Sequence, residues 1–244
     1  SQVIINEERP QLTKHLATRF KEKIGQNVNL LGEVVLGNEE ADHRYHHYLE
    51  ALESPDINYI SVKISGIYAQ THALNYEESF PELVSRMSAL YQKAIDFPYT
   101  DEDGIKRSKF INLDMEEYKD AHFTLRLFKA VLNLPQFKNY SAGIVVQAYL
   151  PDAYDFQTEL LEFAKARVDG GGAPIKMRLV KGCNLEMETV ISSLKGWPNP
   201  IRPSKTEVDA NYLCLLERGL MPENARVLHL GVASHNLFSI AYAY

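Results

Sequence analysis

The chain has few cysteines and no long apolar run. Its 244 residues include only two cysteines, Cys183 and Cys214. A secreted protein of this size would more often use several, so the count favours reduced thiols in a cytoplasmic setting. No apolar stretch approaches the roughly 20 residues that cross a bilayer. The N-terminal SQVIINEERPQLTK also lacks the apolar core of a signal peptide.

The chain also lacks a surplus of basic residues. Lys and Arg number 26 against 32 Asp and Glu, which gives a formal net charge of -6. Because nucleic-acid binding needs a basic face, this balance argues against nucleic acid as the main partner. It still permits a small anionic ligand held by a few local cations. Hydrophobic residues make up 45% of the chain, which is enough to bury one large core.

Strand and helix patterns alternate about six times along the chain. Strands are predicted at 28–36, 57–65, 110–114, 143–149, 175–181 and 225–232, and helices at 11–24, 39–52, 77–97, 116–134, 154–168 and 205–218. The strands are nearly continuous aliphatic runs, which is typical of a parallel sheet covered on both faces. No GxGxxG motif follows the first, third or fifth strand, so a dinucleotide-binding sheet is disfavoured. An α/β barrel truncated after about six βα units fits the pattern better. The polar stretch 99–108 is predicted to be a mobile loop.

Polar residues follow the predicted strands at their C-terminal ends, where the loops of a (β/α) barrel form the active-site mouth. In chain order they are Lys63 and Ser65; Asp114, Glu116 and Glu117; Gln147 and Tyr149; Arg178, Lys181 and Gly182; and Ser234, His235 and Asn236. Their convergence from separate stretches of sequence indicates a single site.

Several of these residues also have structural interpretations. Lys63 and Asp114, on neighbouring strands, suit an ordinary ion pair that neutralises the barrel mouth. Gln147 could instead form hydrogen bonds with backbone groups that have no other partner, and His235 could be a histidine of the core. The consecutive acids Glu116 and Glu117 suit the start of a helix, where the helix dipole favours negative charge.

Two further groups invite a chemical interpretation that their surroundings disfavour. His43, His46 and His47 have metal-ligand spacing on one helix face, but no carboxylate or cysteine is tied to them, so solvated histidines and no metal are predicted. Cys183 has the cation Lys181 nearby, but no cysteine–histidine pair is visible. It is therefore interpreted as a small packing residue.

The stretch KMRLVKGCNLEMETV, residues 176–190, carries the most specific chemical signal. Arg178 and Lys181 should point to opposite sides of a strand, which is predicted to end near Val180. Gly182 lets the backbone approach a neighbour closely. The guanidinium of Arg178 offers a planar set of hydrogen-bond donors, and the ammonium of Lys181 offers a point charge. The backbone N–H groups at the start of the next helix are suited to binding an anion. Together they favour a large, partly anionic ligand such as a phosphate-bearing cofactor.

The same stretch resembles a known family. MRLVKGCNLEME, GW at 196–197, SKTEVDANY at 204–212 and ASHN at 233–236 closely resemble the proline dehydrogenase domain, above all that of the bacterial bifunctional flavoproteins called proline utilization A. ISVKIS at 60–65, INLDMEE at 111–117 and GIVVQAY at 143–149 match this family in the same order. The resemblance runs from about residue 28 to the end of the chain.

The resemblance implies a (β/α)8 TIM-like barrel of the proline dehydrogenase type, with FAD at its mouth. Such enzymes oxidise L-proline to pyrroline-5-carboxylate, passing hydride to flavin N5, and a quinone-type acceptor reoxidises the flavin. By matching motif, Arg178 would stabilise the reduced flavin and Gln147 would hydrogen-bond its ring. Lys63 would neutralise the proline carboxylate, and Asp114 would orient the cations around substrate and flavin. The other predicted FAD contacts are Val180, Lys181, Gly182, Cys183, Asn184, Ser204, Lys205, Ser234, His235 and Asn236.

The chain departs from the family pattern in two respects. Position 183 is usually alanine and here is Cys183. The paired arginines that hold the proline carboxylate, in a motif resembling RRxxEN, do not occur. Residues 1–27 are therefore expected to be a helical lead-in and residues 28–244 the N-terminal part of the barrel, without the last two βα units. Weak or no activity is expected of the chain by itself.

The resemblance also implies properties of the parent protein. These are a cytoplasmic location, peripheral contact with the inner membrane and a downstream pyrroline-5-carboxylate dehydrogenase domain.

The residues alone leave three other functions open. Lys63 and Lys181 at strand ends also suit an aldolase that forms a Schiff base. A metal-dependent hydrolase would need a cluster of histidines and carboxylates at the strand ends. The third alternative is an inactive fragment, whose open barrel edge would promote association.

Overall fold

The computed structural model describes residues 9–29, 37–69 and 75–244 of the chain. Its strands are β1 (Val28–Asn29), β2 (Tyr59–Val62), β3 (Tyr99–Thr100), β4 (Lys106–Arg107), β5 (Phe110–Leu113), β6 (Gly143–Gln147), β7 (Ile175–Val180) and β8 (Leu228–Val232). Its helices are α1 (Arg9–Lys21), α2 (Asn38–Glu53), α3 (Tyr76–Asp96), α4 (Ala121–Leu132), α5 (Ala153–Asp169), α6 (Leu185–Lys195), α7 (Lys205–Leu220), α8 (Pro222–Ala225) and α9 (Leu237–Ala243). The chain divides into two compact units, one of Ser1–Thr71 and Pro81–Asn112, the other of His72–Phe80 and Leu113–Tyr244.

The first unit contains a parallel strand pair. β1 pairs with β2 in the register Val28↔Ile60 and Asn29↔Ser61, and β5 is the next neighbour of β2. Ile60 and Val62 are fully buried, as expected of a strand covered on both faces. β1 and β2 lie within the first two predicted strands, although residues 30–36 of the first lie outside the described residues.

The structure corrects the prediction of a mobile loop at 99–108. Strands β3 and β4 form an antiparallel ribbon there, with Tyr99 opposite Arg107 and Thr100 opposite Lys106. The Asp101 carboxylate organises the turn, since it accepts a hydrogen bond from the Ile105 N–H at 2.8 Å and pairs with Arg107. Side chains that look merely polar in sequence thus close a local hydrogen-bonded turn.

A buried lysine in the first unit predicts a specific pH dependence. Lys109 is 2% exposed and donates to the Ser54 carbonyl just past the end of α2. Burial lowers the pKa of Lys109 to about 8, against a smaller opposing effect of Asp56. Above pH 8 the folded chain releases this proton while the unfolded chain, with an ordinary lysine, still holds it. We therefore expect the free energy of unfolding to rise by roughly 1 to 2 kcal/mol between pH 7.5 and 9.5, as measured by urea denaturation.

Two variants isolate the Lys109 contribution. Lys109→Met should flatten the rise, because it removes the titrating group. Lys106→Met changes an exposed lysine of β4 and should leave the rise as it is in the wild type. The same pH slope in the wild type and in Lys109→Met would contradict the assignment.

The second unit is built on three adjacent parallel strands in the order β6, β7, β8. The register runs from Gly143↔Lys176 to Gln147↔Val180 between β6 and β7, and β7 pairs with β8 in the same sense. Burial alternates along β7, where Ile175, Met177 and Leu179 are buried while Lys176, Arg178 and Val180 are half-buried. The two-residue period therefore places Arg178 on the face opposite these apolar side chains.

The helix ends of this unit follow capping chemistry. Ser204 is the N-cap of α7, and its Oγ accepts a hydrogen bond from the Glu207 N–H at 3.2 Å. Ser204 and Glu207 have the spacing of a capping box. Helix α6 ends at Gly196, whose φ of 64° is left-handed, as is common at helix C-termini. The sequence predicted that a helix starts after Gly182 but gave it no bounds. The apolar residues Met187, Val190 and Leu194 of α6 are exposed rather than on a buried stripe.

The alternation of parallel strands and helices confirms the predicted α/β class. Strands β5 to β8 lie within the predicted strands at 110–114, 143–149, 175–181 and 225–232. The helix predicted from residue 116 begins later, at Ala121, because a 3-10 turn at Tyr118–Asp120 precedes it. In the described part of the chain no helix combines the length and apolar character needed to cross a membrane.

Candidate active site

An ion pair between two strand ends lies at the centre of the candidate site. The Arg178 guanidinium on β7 contacts the carboxylate of Asp114, the first residue after β5. Both side chains are mostly buried, with 22% of Arg178 and 12% of Asp114 exposed. A charge pair this buried stabilises the fold only if its geometry is good. Removing one partner leaves the other charge buried without its counter-ion, which is destabilising.

Lys63, the other predicted catalytic cation, lies in the first unit. It is half-buried directly after β2, and its carbonyl accepts a hydrogen bond from the Gly66 N–H at 3.0 Å. It therefore caps the 3-10 turn Ile64–Gly66. Its role toward proline stays a prediction.

Gln147, at the end of β6, is 1% exposed. Its Nε2 donates to the carbonyls of Met115 at 3.1 Å and Glu116 at 2.9 Å. The expectation that it satisfies backbone groups is thus confirmed for the amide nitrogen. Its Oε1 is buried, and no described group donates to it. Because buried acceptors normally have a donor, this oxygen is suited to a ligand N–H.

The sheet register brings Gln147 and Arg178 to one face. Gln147 is opposite Val180 and Val145 is opposite Arg178. Because registered partners in a parallel sheet point the same way, Gln147, Arg178 and Val180 share a face. On the other side of β7, Arg178 is opposite Gly231, where an added Cβ would lie 3.0 Å from Lys176 Cε.

A second charged cluster follows β7. Lys181 Nζ lies 2.5 Å from Asp209 Oδ1, and Lys205 Nζ lies 2.6 Å from Asp209 Oδ2. The two lysines lower the pKa of the Asp209 carboxyl. Lys181 also lies over the Tyr212 ring at 5.4 Å. Asp209 was not predicted as a site residue, although its four-residue spacing from Lys205 on a helix was a usable signal.

The aldolase alternative gains no support from this cluster. Schiff-base formation needs an amine that is free to attack a carbonyl, whereas the Lys181 amine is bound in the ion pair with Asp209.

The backbone at Gly182 makes a close approach, but to a protein side chain, and its predicted contact with FAD stays a prediction. Its φ of +144° lies where L side chains are rare, and a Cβ at this position would lie 2.5 Å from Tyr149 Cγ. The neighbour that the backbone approaches is thus the buried Tyr149 ring. The Tyr149 N–H in turn donates to the Lys181 carbonyl at 2.8 Å, which ties the end of β6 to the end of β7.

We expect Gly182→Ala to lower the free energy of unfolding by about 3 kcal/mol, because it combines backbone strain with overlap against Tyr149. Gly196→Ala is the matched control. Its φ of 64° is also left-handed, but no described atom lies within 4 Å of the added Cβ, so a loss of about 1 kcal/mol is expected. Urea denaturation measures both, and equal losses would show that contact with Tyr149 is unimportant.

The residues that open α6 face solvent or bind the turn after β5. Cys183 is exposed and forms no disulfide with Cys214. Its Sγ lies 3.5 Å from Asn184 Oδ1. Asn184 Nδ2 donates to the Glu116 carbonyl at 3.0 Å. β7 ends at Val180, as predicted.

Predicted site residues at the later loops have local structural roles. Ser204 caps α7, and Asn236 caps α9 by accepting from the Phe238 N–H at 2.9 Å. Ser234 Oγ accepts from the Asn236 N–H at 3.0 Å. His235 is exposed, so the alternative of a core histidine is wrong. These roles leave the predicted FAD contacts of Ser204, Lys205, Ser234, His235 and Asn236 untested.

The histidines of α2 lie in the first unit. His43, His46 and His47 are exposed, and the rings of His43 and His47 are 4.3 Å apart. Within residues 9–29, 37–69 and 75–244, no three His, Cys, Asp or Glu side chains are grouped as metal ligands.

Comparison with known proteins identifies the family. The family model described as "Proline dehydrogenase" matches residues 12–244. The chain belongs to the proline dehydrogenase family. Membership confirms the sequence resemblance and implies a flavin cofactor.

Two solved structures of proline utilization A (PutA) show the relationship in three dimensions. PutA from Corynebacterium freiburgense is 43% identical with a TM-score of 0.90, and the match covers 98% of this chain and 24% of that one. PutA from Bdellovibrio bacteriovorus, inactivated by N-propargylglycine, is 32% identical with a TM-score of 0.82, covering 94% of this chain and 25% of that one. The fold is thus the predicted one, that of the PutA proline dehydrogenase barrel domain.

A curated relative matches over a shorter region. Hydroxyproline dehydrogenase of Bos taurus is 33% identical over 99 residues, which are 40% of this chain and 21% of that protein. The proline dehydrogenase chain described here therefore spans about a quarter or less of each of these three relatives.

Proposed function

We propose that this chain carries the FAD site and part of the substrate site of a proline dehydrogenase. The observation that supports this most directly is Gln147 Oε1, a buried acceptor without a described donor. It shares a sheet face with Arg178. A flavin ring presents an N–H beside its carbonyl groups, so one planar group would satisfy the amide oxygen while lying against the guanidinium.

The remaining polar groups suit the rest of FAD. Lys181 and Lys205 would offer positive charge to the diphosphate or adenosine end, with Asp209 holding their ammonium groups in place. The other proposed contacts are Val180, Gly182, Cys183, Asn184, Ser204, Ser234, His235 and Asn236.

Proline oxidation requires a two-electron acceptor. A flavin held by these residues would supply one, because its N5 can accept the hydride released as the proline C–H bond breaks and the nitrogen lone pair forms the C=N bond of the product. Asp114 would hold the Arg178 guanidinium at the redox end of the ring through their ion pair, where its positive charge favours the reduced cofactor. Lys63 keeps the role that the family resemblance implies, which is to neutralise the proline carboxylate. The product is pyrroline-5-carboxylate.

The proposal extends to a longer protein to which this chain would belong. The family resemblance, which the similarity to PutA over 98% of the chain strengthens, implies a quinone-type acceptor for the electrons. It also supports a downstream pyrroline-5-carboxylate dehydrogenase domain and a cytoplasmic location with peripheral membrane contact.

A cofactor and substrate assay on the natural protein tests the proposal. The purified protein is expected to show flavin absorbance, and heat-released cofactor should be FAD rather than FMN by chromatography. Anaerobic L-proline should bleach the flavin, and a dye acceptor should sustain turnover. Trans-4-hydroxy-L-proline belongs in the same assay, because the cattle relative is named for that substrate.

Gln147→Leu links the assay to the supporting observation. Removing the acceptor should weaken flavin binding by about tenfold, the equivalent of one hydrogen bond. Gln136→Leu makes the same chemical change at an exposed glutamine and serves as the control. Absence of FAD, or a flavin that proline does not reduce, would overturn the proposed function.

A further inference from the structure

The turn that follows β5, residues 114–118, is called the β5 turn here. Its first residue, Asp114, forms the central ion pair of the site. The carbonyl of Glu116 accepts two side-chain hydrogen bonds, from Gln147 Nε2 at 2.9 Å and from Asn184 Nδ2 at 3.0 Å. The start and middle of the β5 turn are therefore bound to side chains of the candidate site.

Glu188 binds the far end of the β5 turn. It lies on α6, is 5% exposed, and its Oε1 accepts a hydrogen bond from the Tyr118 N–H at 2.6 Å. Burial raises the pKa of Glu188, and the Tyr118 hydrogen bond opposes that rise. A carboxylate this buried is costly to desolvate, so a hydrogen bond to a backbone N–H is a strong determinant of where the turn lies.

A cavity lies beside the hydrogen bond between Glu188 and Tyr118. The β5 turn and α6 line a common cavity of about 440 Å³, bordered by Glu117, Tyr118, Lys119, Glu188, Ile191, Ser192, Lys195 and the segment Trp197–Pro200. Because side chains that line a cavity lack packing partners on that side, the hydrogen bond has a larger share in fixing the position of the turn. Glu188 and Tyr118 both line this cavity.

We infer that Glu188 is a positioning residue, which fixes the end of the β5 turn and thereby the Asp114 carboxylate that holds Arg178. It acts through the backbone of the turn. Its effect on proline oxidation rests on the proposed function, whereas its effect on the β5 turn does not.

Glu188→Met tests the inference, because it retains the length of the side chain and removes the acceptor. Hydrogen–deuterium exchange of a peptide covering 114–120 should become about tenfold faster, as expected when one hydrogen bond of a backbone N–H is lost. In the flavin-loaded natural protein, kcat per bound flavin should fall by roughly 10- to 100-fold, as expected when a reacting group is displaced by about 1 Å. KM for proline should change much less.

Conservative and control variants separate positioning from general stability. Glu188→Gln keeps a carbonyl acceptor and should restore exchange and kcat to within about threefold of the wild type. Glu186→Met changes an exposed residue on the same helix and should change neither. If Glu188→Met does not fold, Glu188→Ala removes the same acceptor. The hydrogen–deuterium exchange rate of this variant then provides the test.

If the folded Glu188→Met or Glu188→Ala protein exchanges amide hydrogens at the wild-type rate, the inference is wrong. It is also wrong if exchange becomes faster while kcat per bound flavin is unchanged. Failure of Glu188→Gln to restore either property would also overturn it. A wild-type protein without FAD or proline oxidation would instead overturn the proposed function, and the exchange measurement would still decide the role of Glu188.

Discussion

Arg178→Met is expected to lower kcat/KM for proline oxidation by about 10³-fold in the natural protein. Removing a charged donor aimed at the reacting centre typically has an effect of this order. The same change leaves the Asp114 carboxylate, only 12% exposed, without its guanidinium. The free energy of unfolding should therefore fall by about 3 kcal/mol. Steady-state kinetics per bound flavin and urea denaturation measure the two effects separately.

Three further variants test this interpretation of Arg178. Arg178→Lys keeps the charge but loses the planar fork, so its activity should be intermediate. Asp114→Asn combined with Arg178→Met should recover part of the lost stability, because burying a neutral amide costs less than burying a carboxylate that has lost its guanidinium. Arg226→Met is the control, since Arg226 is 60% exposed and lies 3.4 Å from Asp169. An Arg178→Met protein with wild-type turnover would rule out its proposed part in the reaction.

Arg167→Met is expected to have the largest effect on stability. The Arg167 guanidinium, at the C-terminal part of α5, donates to five backbone carbonyls, those of Leu132, Phe137, Lys138, Tyr140 and Ala173. These carbonyls belong to the segments that end α4 and lead into β6 and β7. Losing the guanidinium would remove one donor from each of the five, although the Phe137 and Lys138 carbonyls would keep the N–H groups of Tyr140 and Ala173 as donors. We expect the free energy of unfolding to fall by about 4 kcal/mol, measured by urea or thermal denaturation.

Matched variants show whether stability depends on the planar guanidinium of Arg167 or only on its positive charge. Arg167→Lys keeps the charge but reaches fewer carbonyls, so about half of the loss should remain. Lys165→Met alters an exposed cation of the same helix and should change stability by less than about 0.5 kcal/mol. A loss below about 1 kcal/mol for Arg167→Met would show that water replaces the guanidinium at these carbonyls.

The strand ends of the second unit were predictable because their signals are local. A run of aliphatic residues, a cation and a glycine mark the end of β7 at Val180, and the structure places it there. Gly182 was predictable for a similar reason, since a backbone that lacks a Cβ suits a close approach. The neighbour it approaches, Tyr149, lies 33 positions earlier and comes next to it only through the pairing of β6 with β7.

The ribbon at 99–108 and helix α6 were harder to predict from pattern. The ribbon depends on one carboxylate, that of Asp101, binding a backbone N–H and a guanidinium across its own turn. Helix α6 exposes Met187, Val190 and Leu194, so its apolar residues do not mark a buried face. Hydrophobic periodicity reports burial, and it is uninformative where apolar side chains are exposed.

By itself, the sequence determined the family, the strand–helix alternation and the polar residues at the strand ends, because these depend on residue type and short spacing. Only the tertiary structure decided the partners of those residues. Asp114 and Arg178 are 64 positions apart, and Tyr118 and Glu188 are 70 apart. Such pairs depend on strand order, register and the paths of turns, which bring distant charges together. The buried Gln147 oxygen without a described donor became visible only once burial and neighbouring donors were known.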